Sequence, residues 1–347
     1  MAGPVASMFR VERAVSQSAN PPALGSFLSA APQTFADLEA KITASRHPEP
    51  LKSQGAWAAR VLAGTLGDDW PGKFQQRSGH PYLTFALAPF LPKQATTLVE
   101  LAAQLHLLQG TSGLPTILRQ IQTDLQPGVM NSARLQFEVA ALEKRRNATV
   151  MLEVDRGPGN WKPDVMLSNG QESFGVECLY LSVGEDVLDQ FRTSAPDDTE
   201  LDGWKRIGAK LATKAGQPAQ DGGWLRCHLD DGMFANEPFM RSALMADPLE
   251  RKGEQLAQGA LEQMAISGDI HGVVFSGLPN ISDAQADETC RLTNGSILLR
   301  RRLAGERFRE IFIIPNVRTM SSEIDAWFEL YDQEPSWLPW ALEQAAQ

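Results

Sequence analysis

The chain is poor in the features that usually announce a function. It has three cysteines in 347 residues, Cys178, Cys227 and Cys290, with no CxxC pair among them. That excludes a disulfide framework or a zinc ribbon and makes a reducing cytoplasm the expected compartment. Five scattered histidines provide no recognisable triad or zinc cage, and there is no GxSxG elbow, P-loop or GxGxxG. No apolar run is long enough to span a bilayer, and Met1 to Val15, interrupted by Arg10, Glu12 and Arg13, has no secretory core. An excess of positive charge is missing too. The formal net charge is −10, which argues against a general nucleic-acid coat, since phosphate binding rests on Lys and Arg, but leaves a local site open.

What is present is uneven. Residues 1–130 hold 10 basic and 8 acidic residues, and residues 131–347 hold 22 and 34, so the acidity lies in the second part. Residues 14–34, rich in Ser, Ala and Pro, read as a loosely ordered arm. Thr34–Ser45, Leu51–Leu66, Ala95–Leu108 and Leu114–Leu125 then carry apolar residues at helical spacing, whereas Gly67–Lys93, punctuated by Gly and Pro, reads as a long connection. These features predict a mainly α-helical N-terminal domain over 1–130, ended by a break at Gln126-Pro127-Gly128. Beyond it, over 131–347, helical patterns at 134–146, 201–216 and 249–266 alternate with β-rich runs. The runs lie near 149–154, 164–168, 173–181, 223–229, 271–276 and 310–315, which predicts an α/β domain with helices covering a sheet.

Three acids stand out in that second part. Glu138 falls within the apolar stripe Leu135, Val139 and Leu142, where an ionised acid costs several kcal/mol unless it is paired or ligating. Asp164 follows Pro163 at the start of a strand, and Glu177 lies on the next, sharing a face with Leu179 by strand alternation. Each has a plain alternative: Glu138 pairing with Arg134 one turn earlier, Asp164 as a turn residue, Glu177 as a solvent-facing strand residue.

The order of helix acid, Pro-Asp strand, turn at Asn169-Gly170, acid-bearing strand and following helix resembles the PD-(D/E)XK nucleases, the restriction-endonuclease-like superfamily. The resemblance covers about residues 131–230. It implies a mixed sheet flanked by helices, a Mg²⁺ site, with Mn²⁺ as substitute, built from Glu138, Asp164 and Glu177, and hydrolysis of phosphodiester bonds, with DNA the expected substrate. Where the family has its lysine, this chain has Leu179. The family tolerates relocation of that lysine, and Lys210 and Lys214, one turn apart on the following helical pattern, are the candidates beside the plain reading of a solvated helix face. The alternative is a nuclease fold that has lost its chemistry and binds nucleic acid or a protein. The run Arg300-Arg301-Arg302 with Arg291, Arg307 and Arg309 either grips phosphates or blunts a sheet edge. His228 with Asp230 and Asp231 reads as the polar loop after a strand, and the Trp-rich end, Trp327 to Trp340, as docking back on the protein or, if exposed, meeting a partner.

Overall fold

The computed structural model describes residues 30–153, 163–168, 173–181, 223–229, 271–276, 288–293, 295–303, 307–316 and 321–332, together with Trp337, Trp340 and Glu343. Among these residues seven helices come first: α1 (Phe35–Thr43), α2 (Glu49–Leu66), α3 (Trp70–Ser78), α4 (Leu83–Leu87), α5 (Pro92–Leu107), α6 (Leu114–Asp124) and α7 (Pro127–Arg145). Local signals explain their ends. The Thr34 hydroxyl accepts from the backbone N–H of Asp37 to cap α1, while α5 and α7 each begin on a proline and α2 has Pro50 at its second position, where the missing N–H costs nothing in a first turn.

Gly67–Lys93 is not a long connection. It forms α3 and α4, because its punctuation marks helix ends: Pro71 opens α3 and Gly79, at φ 79°, closes it in the left-handed conformation. Tertiary burial then fixes the segment. The Trp70 ring stacks on Phe74 at 4.9 Å, and its indole N–H donates to the Ile121 carbonyl at 3.2 Å. Likewise Gln126-Pro127-Gly128 is the start of α7 rather than a break, so the helix that carries Glu138 begins two turns before the periodic stripe.

The strands are β1 (Thr149–Leu152), β2 (Val165–Ser168), β3 (Ser173–Leu181), β4 (Gly223–Leu229), β5 (Gly272–Ser276), β6 (Glu288–Arg291), β7 (Ile297–Leu303) and β8 (Arg307–Pro315), followed by helix α8 (Ser321–Asp332). They form one eight-stranded mixed sheet in the order β1-β2-β3-β4-β5-β8-β7-β6. β1, β2 and β3 make an antiparallel meander, β3, β4 and β5 are parallel, and β8 returns antiparallel to β5 and carries the β7–β6 hairpin. The α/β class with a helix-flanked mixed sheet is therefore as expected. The arginine run is part of the β7–β8 hairpin.

Both faces of the central strands are buried, as parallel strands require. One face, with Val176, Cys178, Trp224, Arg226 and Val274, meets α7 and α8: Trp224 lies 5.7 Å from Trp327, and Arg226 reaches Glu138 and Tyr331. The other carries Glu177, Leu179, Leu225, Cys227, Val273 and Phe275. The hydrophobic core runs unbroken from the N-terminal helices through α7 into the sheet. The aromatic end does dock back: Trp340 packs against Trp57 and His106, and the Arg145 guanidinium lies 5.1 Å over the buried Trp337 ring. Among the described residues no helix is long and apolar enough to cross a membrane.

Candidate functional site

Asp164 and Glu177 are brought together by strand register. Val165 pairs with Val176, so the next step of the same antiparallel ladder sets Asp164 opposite Glu177. At that step the backbone N–H of Cys178 donates to Asp164 Oδ2 at 2.7 Å, while the Asp164 carbonyl accepts from Glu153 N–H at 3.1 Å. The carboxylate thus takes the place of a strand carbonyl, and the hydrogen bond fixes its direction. Glu177 is 1% exposed, which removes the reading of a solvent-facing acid. Leu179, two residues on along the same face, is 7% exposed, so the position that would hold a lysine is packed with hydrocarbon.

Glu138 is bound elsewhere. It lies on the α7 side of the sheet, where its Oε1 accepts from Arg226 Nη2 at 2.9 Å and from the Tyr331 hydroxyl at 3.2 Å. Arg226 is fully buried and well satisfied: Nε donates to the Tyr331 hydroxyl at 2.7 Å and Nη1 to the Cys227 carbonyl at 2.8 Å. Burial alone would lower the arginine's pKa, but the Tyr331 hydroxyl and Glu138 carboxylate outweigh it and hold the guanidinium above its ordinary value. Arg134, the partner considered from the sequence, donates instead to the Tyr82 hydroxyl at 3.0 Å. Arg226 was missed, yet the signal existed. A lone charge in the apolar strand Trp224-Leu225-Arg226-Cys227 demands a partner by the same rule that singled out Glu138.

The three acids still act on one group. The Cys178 thiol is raised well above its ordinary 9.0, first by burial and then by Asp164, Glu177 and Glu138, with Arg226 opposing. Glu138 does not join the other two in a shared cage: among the described residues no three His, Cys, Asp or Glu side chains are placed to hold a metal ion. Asp164 and Glu177 lie one step beyond the Val165–Val176 pair of the β2–β3 ladder. Lys210 and Lys214 lie outside the described residues, as do Asn169, Gly170, Asp230 and Asp231.

The protein-family models, curated proteins and solved structures compared with the chain hold no match. Function rests on this geometry.

The arginine run splits by strand alternation. Arg301 Nε donates to Asp332 at 2.8 Å, and Arg291 pairs with Asp325 at 3.3 Å while lying 4.9 Å over the Phe328 ring, so both clasp α8 to the sheet. Arg300 is buried at 5% exposure. His228 belongs to β4 rather than to a loop, and shares a 2.9 Å hydrogen bond with Ser276 on β5.

Burial pushes the Cys227 thiol up to about 12, with Arg226 pulling the other way. The unfolded chain therefore loses this proton near 9.0 while the folded chain keeps it to about 12, so stability is whole below 9.0 and falls as pH rises through that window. In urea titrations, wild-type stability is expected to fall more steeply with pH there than that of Cys227→Ala. Parallel slopes for the two proteins would refute this.

Proposed function

We propose that residues 131–347 form a restriction-endonuclease-like domain that hydrolyses phosphodiester bonds of nucleic acid, with DNA as substrate and Mg²⁺, or Mn²⁺ in its place, held by Asp164 and Glu177. The observation that carries this reading is the placement of Asp164 opposite Glu177 on adjoining strands, behind the helix that bears Glu138. Two carboxylates are the hard oxygen donors that Mg²⁺ takes, leaving other positions to water and phosphate. When bound, such an ion polarises a phosphoryl oxygen and lowers the pKa of an attacking water. The chain's own contributions are distinct. The Cys178 N–H orients Asp164. Glu177 is delivered from a buried strand, and Glu138, tied to Arg226, is a charge-balancing neighbour rather than a third ligand. Lys210 or Lys214 supplies the ammonium that Leu179 cannot. The N-terminal helices select the target or hold a protein partner, and the three cysteines, none in a disulfide, suit a cytoplasmic protein.

A second reading is favoured by one pair of observations: Leu179 is packed in the lysine position, and Arg226 already occupies Glu138. On it, the domain keeps the fold and binds nucleic acid or a protein without cutting. The test is incubation of the full chain with supercoiled and linear DNA and with RNA, in Mg²⁺, Mn²⁺ or EDTA. Hydrolysis predicts metal-dependent cutting that Glu177→Ala lowers by at least about 100-fold, the scale on which a charge-stabilising group acts. If no nucleic acid is cut with either metal, the hydrolase reading fails. Activity gained on Leu179→Lys in a silent wild type would establish the second.

A further inference from the structure

The carboxyl ends of α5 and α7 come together away from the sheet acids, and their last turns gather cations and aromatic rings in one place. Lys144, in the last turn of α7, donates from Nζ to the Thr111 hydroxyl at 3.0 Å and to the Gln109 carbonyl at 3.4 Å, in the turn that follows α5. His106 lies in the last turn of α5, with its ring 5.9 Å from Trp57 and 5.8 Å from Trp340. Trp340 in turn is 6.1 Å from Trp337, and the guanidinium of Arg145, the last residue of α7, lies 5.1 Å over the Trp337 ring. A continuous row of contacts therefore joins His106 to Arg145. Trp57 and Trp337 are buried and anchor it, His106 and Trp340 are half-buried, and Arg145 is exposed.

Neither cation is paired with a carboxylate. Among the described residues Lys144 donates only to neutral oxygens, and Arg145 makes no hydrogen bond or ion pair. Glu343 acts on Arg145 electrostatically without pairing with it. The contrast with other arginines is direct: Arg60, Arg146, Arg226, Arg291 and Arg301 each meet a carboxylate. Beside Arg145, the indole N–H of Trp337 is a buried donor that also meets no acceptor. The dipole of α7 favours cations in its last turn by about 0.3–1 kcal/mol, but it leaves these donors unanswered. A guanidinium has five N–H donors in a plane that matches a phosphate, and half-open indole and imidazole rings are faces on which a base stacks. Only an unpaired strand offers both at once, since a duplex keeps its bases in the stack.

We propose that the joined ends of α5 and α7 bind single-stranded nucleic acid, with a base stacked on Trp340 and His106 and the neighbouring phosphates met by Arg145 and Lys144. This deepens the nucleic-acid part of the proposed function by naming the form of the strand and the surface that holds it. It does not rest on hydrolysis at the Asp164–Glu177 pair.

The test titrates the full chain into fluorescein-labelled oligodeoxythymidylate and oligouridylate and reads anisotropy at several salt concentrations. EDTA is present, so loss of cutting and loss of binding are separate results. Saturable binding of at least one strand is expected, displaced by the same strand unlabelled but far less by duplex DNA, a nucleoside monophosphate or polyglutamate. Arg145→Gln should weaken binding by about tenfold or more, as for a charge-assisted hydrogen bond, and lower the slope of log affinity against log salt by about 0.7, the share of one phosphate contact. Trp340→Ala should weaken it by about tenfold through lost stacking, and Arg60→Gln should change nothing. Arg145 is exposed, so its variant keeps the test decisive should Trp340→Ala fail to fold. The proposal is overturned if neither strand binds saturably, if Arg145→Gln keeps wild-type affinity and salt slope, or if a competitor matches the strand. A match by duplex DNA would show a general phosphate surface, by the monophosphate a free nucleotide site, and by polyglutamate an acidic protein partner.

Discussion

Replacing Arg226 by methionine is expected to destabilise the protein by about 3–5 kcal/mol, the cost of breaking a buried ion pair from one side. The guanidinium is fully buried, and its removal leaves the Glu138 carboxylate in the same interior with the Tyr331 hydroxyl and no cation. The pair itself is not what stabilises the fold. Its two desolvation penalties nearly cancel its attraction, so the double substitution Glu138→Leu with Arg226→Met should recover most of the loss. Urea midpoints, read at constant m-value, check both expectations. Arg226→Met within about 0.5 kcal/mol of wild type, the ordinary range of a surface change, would show that the pair carries no such burden. The same variants bear on the proposed function, because Arg226 is hydrogen-bonded to Glu138, one of the three acids that the nuclease resemblance assigns to the ion.

The second large effect is expected at Gly113. This residue caps the start of α6 at φ +85°, and an added Cβ would fall 1.7 Å from the Leu152 carbonyl oxygen and 2.4 Å from its carbon. The neighbouring Ser112 carbonyl accepts from Leu152 N–H at 2.9 Å, so the turn between α5 and α6 is hydrogen-bonded to the end of β1 and has little room to retreat. Gly113→Ala should therefore cost about 3–5 kcal/mol, from left-handed strain and overpacking together. Gly110 is the control: its φ is +77° but a Cβ there meets nothing within 4 Å, so Gly110→Ala should cost only about 1–2 kcal/mol. Thermal or urea unfolding of both variants decides, and equal losses would remove the argument from close approach.

The helices on either side of Gly67–Lys93 were legible because apolar spacing is a local signal. The same Gly and Pro residues that end helices also mark loops, and only the burial of Trp70 and Phe74 shows which role they play. The β6–β7 part of the sheet was illegible for a related reason. Arg300, Arg301 and Arg302 look like a solvated patch, but the strand sends Arg301 to Asp332 on α8 and buries Arg300. Of the site, the Asp164–Glu177 juxtaposition could be read from two strands and a short turn. The partner of Glu138 could not, since Arg226 lies 88 residues away and Tyr331 193 residues away in the chain.

By itself the sequence determined the class of fold and the fact that a carboxylate at position 138 must be answered by something, because period and burial cost are properties of neighbouring residues. Tertiary structure alone decided what answers it. A buried charge selects its counter-charge by proximity in space, and here the parallel pairing of β3 with β4 and the return of α8 bring Arg226 and Tyr331 to Glu138, leaving Asp164 and Glu177 as a pair on the other side.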